Sequence, residues 1–256
     1  MSRRARAAGA SGPRWLDGYS PRRAGQFSLH PFFDTVASRL AKSPHDQTIA
    51  QWDAAILVGG RSRRLGGCDK ARLRVGGVCV IDRLVAAIQP LVRHVVLVTS
   101  ARGAYGDLGL PTVQDRVPGR GVLAGIDAAL AATDASHVLV VACDMPFLQG
   151  AFLAELLRAG RDTQVAVARA PDGRYPVCAS IARTCHLTVQ HLLEAGRLSF
   201  RDLLGSLQVR ELGPEVVSRY DPDGVLLMNL NTPFDYARAL AVCGPDRRAS
   251  YPHDAP

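Results

Sequence analysis

A doubly wound α/β fold built on a mostly parallel sheet is what residues 53–243 predict, and three observations carry the prediction. Short apolar runs alternate with segments of helical period from Asp53 onward. One run, Val138-Leu139-Val140-Val141-Ala142, is apolar on both faces, as strands buried in a parallel sheet are. Gly59-Gly60, Asp115 and Asp144 each punctuate the C-terminal end of a predicted strand, the rim at which such sheets bind ligands.

Taken in order, residues 1–50 read as a basic, disordered leader. Residues 1–26 are rich in Arg, Ala, Gly, Ser and Pro and too poor in large apolar residues to offset ordering entropy. Phe33, Val36, Ala37 and Leu40 behind Pro31 allow a short helix near 32–42. The Arg-Arg pairs at 3–4 and 22–23 lack the apolar region that twin-arginine export requires. Ala54–Val58 is a buried strand, and Ile81, Leu84, Val85, Ile88, Leu91 and Val92 step by three and four as an amphipathic helix does. His94–Val98 and Leu110–Val113 are the next strands, followed by a helix over Val122–Ala132 and the strand Val138–Ala142. Phe152, Leu153, Leu156 and Leu157 mark another helix face. Gln164–Arg169 and Val177–Ile181 read as strands, the second antiparallel after the Pro171-Asp172-Gly173 turn. A helix around Val189, Leu192 and Leu193 stops at Gly196. Thr232 caps the last helix, with Pro233 at its first position and Asp235 completing the box. Residues 244–256 read as a frayed tail.

Composition narrows the function. No run reaches the ~18–20 apolar residues of a membrane span. The net charge is +8, but eight basic against three acidic residues in 1–50 account for +5 of it. The body therefore carries only +3, which suits anionic substrates and gives little support to a nucleic-acid surface. The basic and aromatic interleaving of an RNA platform is missing too. The six cysteines form no Cys-x-x-Cys and no zinc spacing with His, so they read as reduced thiols of a reducing compartment. Cys143, at a strand end, reads as a small buried residue in preference to a nucleophile. There is no Gly-x-Ser-x-Gly to partner the histidines.

The stretch Ile56 to Lys70 is where chemistry gathers. Ala54–Val58 stops at paired glycines, and Arg61, Arg63, Arg64 and Lys70 follow. Glycine lets the backbone approach an anion, and the cations supply the field, so the loop reads as a phosphate cradle or as a merely solvated charge run. The P-loop and the dinucleotide fingerprint are both excluded by spacing. Arg64 and Lys70 are suited to stabilise the charge of a phosphoryl-transfer transition state. Asp144, directly after a buried strand, either holds a divalent cation against phosphate oxygens or caps the next helix. Asp115 either bonds a base or ribose or caps a turn. Asn229 and Asn231 flank Leu230, so at strand spacing both amides face one side, toward a ligand or into the turn.

Together these motifs resemble those of molybdenum cofactor guanylyltransferases, within the broader nucleotidyltransferase superfamily. Leu57-Val58-Gly59-Gly60 and Arg63-Arg64-Leu65-Gly66-Gly67-Cys68-Asp69-Lys70 are similar to the family's Leu-Ala-Gly-Gly … Arg-Met-Gly-x-Asp-Lys signature. Gly121-Val122-Leu123-Ala124-Gly125, Cys143-Asp144-Met145-Pro146 and Asn229-Leu230-Asn231-Thr232-Pro233 follow in the family's order. The resemblance spans about residues 53–242 and implies a Rossmann-like nucleotidyltransferase domain over 51–243. It implies GTP bound by Leu57, Val58, Gly59, Gly60, Lys70, Asp115 and Asp144, with Mg²⁺ on Asp144. Arg64, Lys70 and Asp144 would be catalytic, and Asn229 and Asn231 would face the pterin. The reaction implied is transfer of GMP to molybdenum-bound molybdopterin with release of pyrophosphate. A cytoplasmic setting follows, with molybdoenzymes or cofactor-handling proteins as recipients, and with neither nucleic acid nor membrane as a partner.

Two departures bear on the base. Val58 stands where the family usually has Ala, and Val98 stands where Asn often touches the nucleoside. A cytidylyltransferase of the same pathway, or another NTP-dependent pyrophosphorylase, is the nearest alternative; a non-catalytic cofactor-binding protein is the other. Asp69 before Lys70, the Gly121–Gly125 turn and the Asn-x-Asn-Thr-Pro run favour the guanylyl branch.

Overall fold

The computed structural model describes residues 52–58, 65–100, 105–115 and 119–243. The leader and the short helix expected near 32–42, the cradle residues Gly59 to Arg64 and the tail at 244–256 lie outside the described residues. The strands are β1 (Asp53–Leu57), β2 (Arg74–Val75), β3 (Val78–Cys79), β4 (His94–Thr99), β5 (Thr112–Gln114), β6 (His137–Ala142), β7 (Val165–Ala168), β8 (Cys178–Ala182) and β9 (Val209–Leu212). The helices are α1 (Val80–Ile88), α2 (Gly121–Ala132), α3 (Gly150–Gly160), α4 (His186–Glu194), α5 (Phe200–Leu204), α6 (Pro214–Val217) and α7 (Pro233–Cys243).

Seven strands form one sheet in the order β5-β4-β1-β6-β8-β7-β9. The doubly apolar run is β6, its middle strand. Strands β5, β4, β1 and β6 run parallel, and β8 alone opposes its neighbours β6 and β7. Because side chains alternate, the sheet has two apolar faces. Ala54, Ile56, Leu97, Leu139 and Val141 turn to the side covered by α1, α3 and α7, through Leu84, Phe152, Leu156 and Tyr236 among others. Ala55, Val96, Val98, Val138 and Val140 turn to the side covered by α2, α4 and α5, through Leu123, Ile126, Val189 and Leu203. Helices on both faces make the sheet doubly wound, as the alternation of periods requires.

Two boundaries differ from the sequence reading because of proline. Helical period persists to Val92, but α1 ends at Ile88 and a 3-10 turn over Gln89–Leu91 follows. Pro90 has no N–H to extend the α ladder. Likewise β5 begins at Thr112, just past Pro111, whose carbonyl accepts from the Leu97 N–H at 2.9 Å. Four short pieces carry too little periodicity to be legible: the β2–β3 ribbon turning through Gly76 and Gly77 at φ 59° and 78°, α5, α6 and β9. The caps of α4 and α7 fall where expected. Gly196 is left-handed at φ 71°, and Thr232 and Asp235 exchange bonds at 2.8 and 3.1 Å.

One close approach seats α3 on β8. A Cβ added at Gly160 would lie 2.4 Å from Ser180 Oγ and 2.6 Å from Ser180 Cβ. Ser180 is buried and accepts from the Trp52 indole N–H at 3.1 Å, so it cannot swing away without breaking that bond. Gly160→Ala is therefore expected to cost about 1–3 kcal/mol in urea unfolding, and Ser180→Gly in the same chain to recover part of it.

Candidate active site

The parallel strands bring their C-terminal ends to one level. Leu57 lies opposite Val98 on β4 and Ala142 on β6. The ladder runs one step further, Val58 N–H to the Val98 carbonyl at 2.8 Å and Cys143 N–H to the Leu57 carbonyl at 3.1 Å. The amide of Val58 thus belongs to the sheet and its side chain is buried. Leu57 is half-buried and packs on α2, where a Cβ on Gly125 would come within 3.2 Å of it. Gly121, at φ 66°, would press a Cβ to 2.9 Å from the Leu198 carbonyl, so this turn's glycines serve close packing.

The side chain of Val98 is buried in the apolar layer under α2. The polar end of β4 is Thr99, buried, followed by exposed Ser100. Asp115 lies just past β5, two strands out from β1, and its N–H bonds the Thr99 carbonyl at 3.0 Å. Cys143 is buried beneath the rim, as a strand residue would be.

At the centre of the rim, four sequence-predicted residues from distant segments meet. Lys70 Nζ is 3.2 Å from Asp144 Oδ2 and 2.6 Å from Asn231 Oδ1. Asn229 Nδ2 donates to Asp144 Oδ1 at 3.1 Å, and the Leu230 N–H donates to the Asp144 carbonyl at 2.8 Å. The two amides face one side, as strand spacing requires, with Leu230 buried between them. Neither alternative role applies. Helix α3 begins at Gly150 with Gln149 as its cap, so Asp144 caps nothing there. The turn before α7 is closed by Thr232 and Asp235, leaving the asparagine side chains for Lys70 and Asp144. Burial pushes the Asp235 carboxyl up, but bonds from Thr232 and from the Asn231 and Thr232 amides outweigh it and hold it below the usual range.

The Lys70 and Asp144 side chains are only 18% and 15% exposed. In such a place the attraction of the charges, about 4 kcal/mol at an effective dielectric near 20, is largely offset by desolvation. The pair is thus more a chemical fixture than a staple. Among the described residues no cluster of three or more His, Cys, Asp or Glu forms a metal cage. A lone carboxylate beside a lysine suits Mg²⁺, which takes one or two carboxylates and completes its shell with phosphates and water.

Gly59, Gly60 and Arg64 lie outside the described residues. Tyr105 was not legible as a site residue: it is a lone aromatic in a glycine-rich connection. Its hydroxyl reaches Asp69, the cap of the 3-10 turn Lys70–Arg72, at 2.9 Å.

A doubly wound sheet that gathers a lysine, a carboxylate and paired amides beyond its parallel strand ends defines an α/β protein with its polar cluster at the rim where such sheets bind ligands. Residues 54–211 match the MobA-like NTP transferase domain, and the chain belongs to that family of nucleotidyltransferases. It is 34% identical over 195 residues to a probable molybdenum cofactor guanylyltransferase of Chloroflexus aggregans, covering 74% of this chain and 93% of the relative. It is 30% identical over 188 residues to the molybdenum cofactor guanylyltransferase of Desulfosudis oleivorans, covering 73% and 93%. Among solved structures it is similar to molybdopterin-guanine dinucleotide biosynthesis protein A of Archaeoglobus fulgidus, with TM-score 0.65 and 25% identity over 75% of this chain and 98% of that one. Among the described residues no helix is long and apolar enough to cross a membrane.

The cluster makes a thermodynamic prediction. Lys70→Met strands a partly buried carboxylate and should cost about 1–2 kcal/mol in urea unfolding. Adding Asp144→Asn should cost less than the sum of the single changes, by about 1 kcal/mol, because the two groups share one interaction.

Proposed function

We propose that this chain transfers GMP from GTP to the molybdopterin form of the molybdenum cofactor, releasing pyrophosphate and forming the guanine dinucleotide cofactor. The observation that carries this reading is the convergence of Lys70, Asp144, Asn229 and Asn231 at the strand-end rim. The names of the relatives support the choice of substrates.

The terminal phosphate oxygen of molybdopterin attacks the α-phosphorus of GTP. A new P–O–P linkage forms, the α–β bridge breaks, and its electrons leave with pyrophosphate. The step needs no protein nucleophile. The protein supplies position and charge. Lys70 spends two of its three donors on Asp144 and Asn231 among the described residues, leaving one to aim at a phosphate oxygen. Arg64 adds positive charge from the cradle, and Gly59 and Gly60 admit the phosphates to the backbone. Leu57 and Val58 form the floor beneath the nucleotide, and Asp115 lies toward the nucleoside. Asp144 would hold Mg²⁺, which supplies further neutralisation of the triphosphate when bound. Asn229 and Asn231 hold Asp144 and Lys70 in place and face the pterin. The product passes to molybdoenzymes or to proteins that deliver the cofactor. All six cysteines are free thiols, which supports a reducing, cytoplasmic setting.

The test is a nucleotide panel with molybdopterin as acceptor, scored by pyrophosphate release. GTP alone should turn over; release with CTP alone would sink the guanylyl reading in favour of a cytidylyltransferase. In the same assay Asp144→Asn should lower Mg²⁺-dependent transfer by about 10²–10³. Unchanged turnover would remove the metal from Asp144.

A further inference from the structure

The aim of Lys70 needs an explanation, because a four-carbon stem carries about 2 kcal/mol of rotamer entropy and points nowhere by itself. Its backbone support is slight. The 3-10 turn Lys70–Arg72 is three residues long, and Ala71 is its one buried residue. A single 3-10 turn does not hold its own shape.

What fixes the turn comes from elsewhere in the chain. Asp69 spends its two carboxylate oxygens on different tasks: Oδ1 accepts from the Ala71 N–H at 3.0 Å, and Oδ2 accepts from the Tyr105 hydroxyl at 2.9 Å. On the far side of Lys70, the Arg72 guanidinium lies 5.4 Å from the centre of the Tyr105 ring. It also grips Asp107 with two bonds of 2.6 and 2.7 Å. The β4–β5 connection therefore holds the residues on both sides of Lys70.

The two grips are unequal. Arg72 and Asp107 are 37% and 59% exposed, so that pair is worth little after screening. Tyr105 is 4% exposed and shares the apolar cluster of Leu65, Leu73 and Cys143. Burial, and then the Asp69 carboxylate, push its phenol well above the usual range, so it donates at any working pH. A cap alone would be served by Asn, Ser or Thr. The second carboxylate oxygen is what Tyr105 uses.

We propose that Tyr105 is a positioning residue for Lys70: through Asp69 it ties the β4–β5 connection to the turn that aims the ammonium at Asp144 and Asn231. The kinetic arm of the test rests on the nucleotidyl-transfer reading above; a second arm does not.

Tyr105→Phe keeps the ring and removes the bond. It should lower kcat for pyrophosphate release about tenfold, with KM for GTP within about twofold of wild type. In a Lys70→Ala background the same change should cost nothing further, since its effect passes through Lys70. Asp69→Ser keeps one oxygen to cap the Ala71 N–H and leaves no second oxygen for Tyr105, so it should match Tyr105→Phe and stands in for it if that variant does not fold. Unchanged kcat, or an equal loss with and without Lys70, overturns the proposal. Wild-type chain that releases no pyrophosphate would refute the reaction and leave the decision to hydrogen exchange. There the Ala71, Arg72 and Leu73 amides should exchange faster in Tyr105→Phe than in wild type, and equal exchange overturns the proposal.

Discussion

The ammonium of Lys70 is the point on which the rest of the rim depends. It is mostly out of water, and a partly buried cation is tolerable only with oxygen partners close by. Those partners are Asp144, 74 residues away, and Asn231, 161 residues away. Three segments must be brought within bonding distance before the charge is satisfied. The fold does this by ending β1 and β6 at the same level and returning the chain past them just before α7.

The opposite end of β1 shows how a static charge is treated. Asp53 is 1% exposed and is fully engaged by Arg93 at 3.1 and 3.2 Å, His94 at 3.0 Å and the Thr133 hydroxyl. That carboxylate locks the start of the strand to β4 and to the end of α2. Among the described residues the Asp144 side chain has two partners, Lys70 and Asn229, and it keeps some contact with solvent.

Much of the site was legible because its chemistry is local in sequence. Strand, glycine pair and basic loop, then Cys143-Asp144 and Asn229-Leu230-Asn231, are short patterns whose residue types state what they can bind. Alternation of period gave the two-layered sheet in the same way. What stays hidden is what is not local. The depth of Val98 in its strand is visible in the sequence but its facing is not; the pleat turns it into the layer under α2. Strand β9 carries Arg210 and Glu211 and is held as a strand by its pairing with β7. Tyr105 gave no signal, since its partner Asp69 lies 36 residues away.

The sequence by itself therefore determined the layered α/β architecture and the short polar motifs at its strand ends, because hydrophobic period and side-chain chemistry are properties of short stretches. The tertiary structure alone decided that Asp144 and the asparagines are not caps, that Asp144 and Asn231 meet one lysine while Asn229 holds Asp144, and that Tyr105 stands behind that lysine. Those facts are distances between residues far apart in the chain, and they exist only once the two apolar faces of the sheet have been buried.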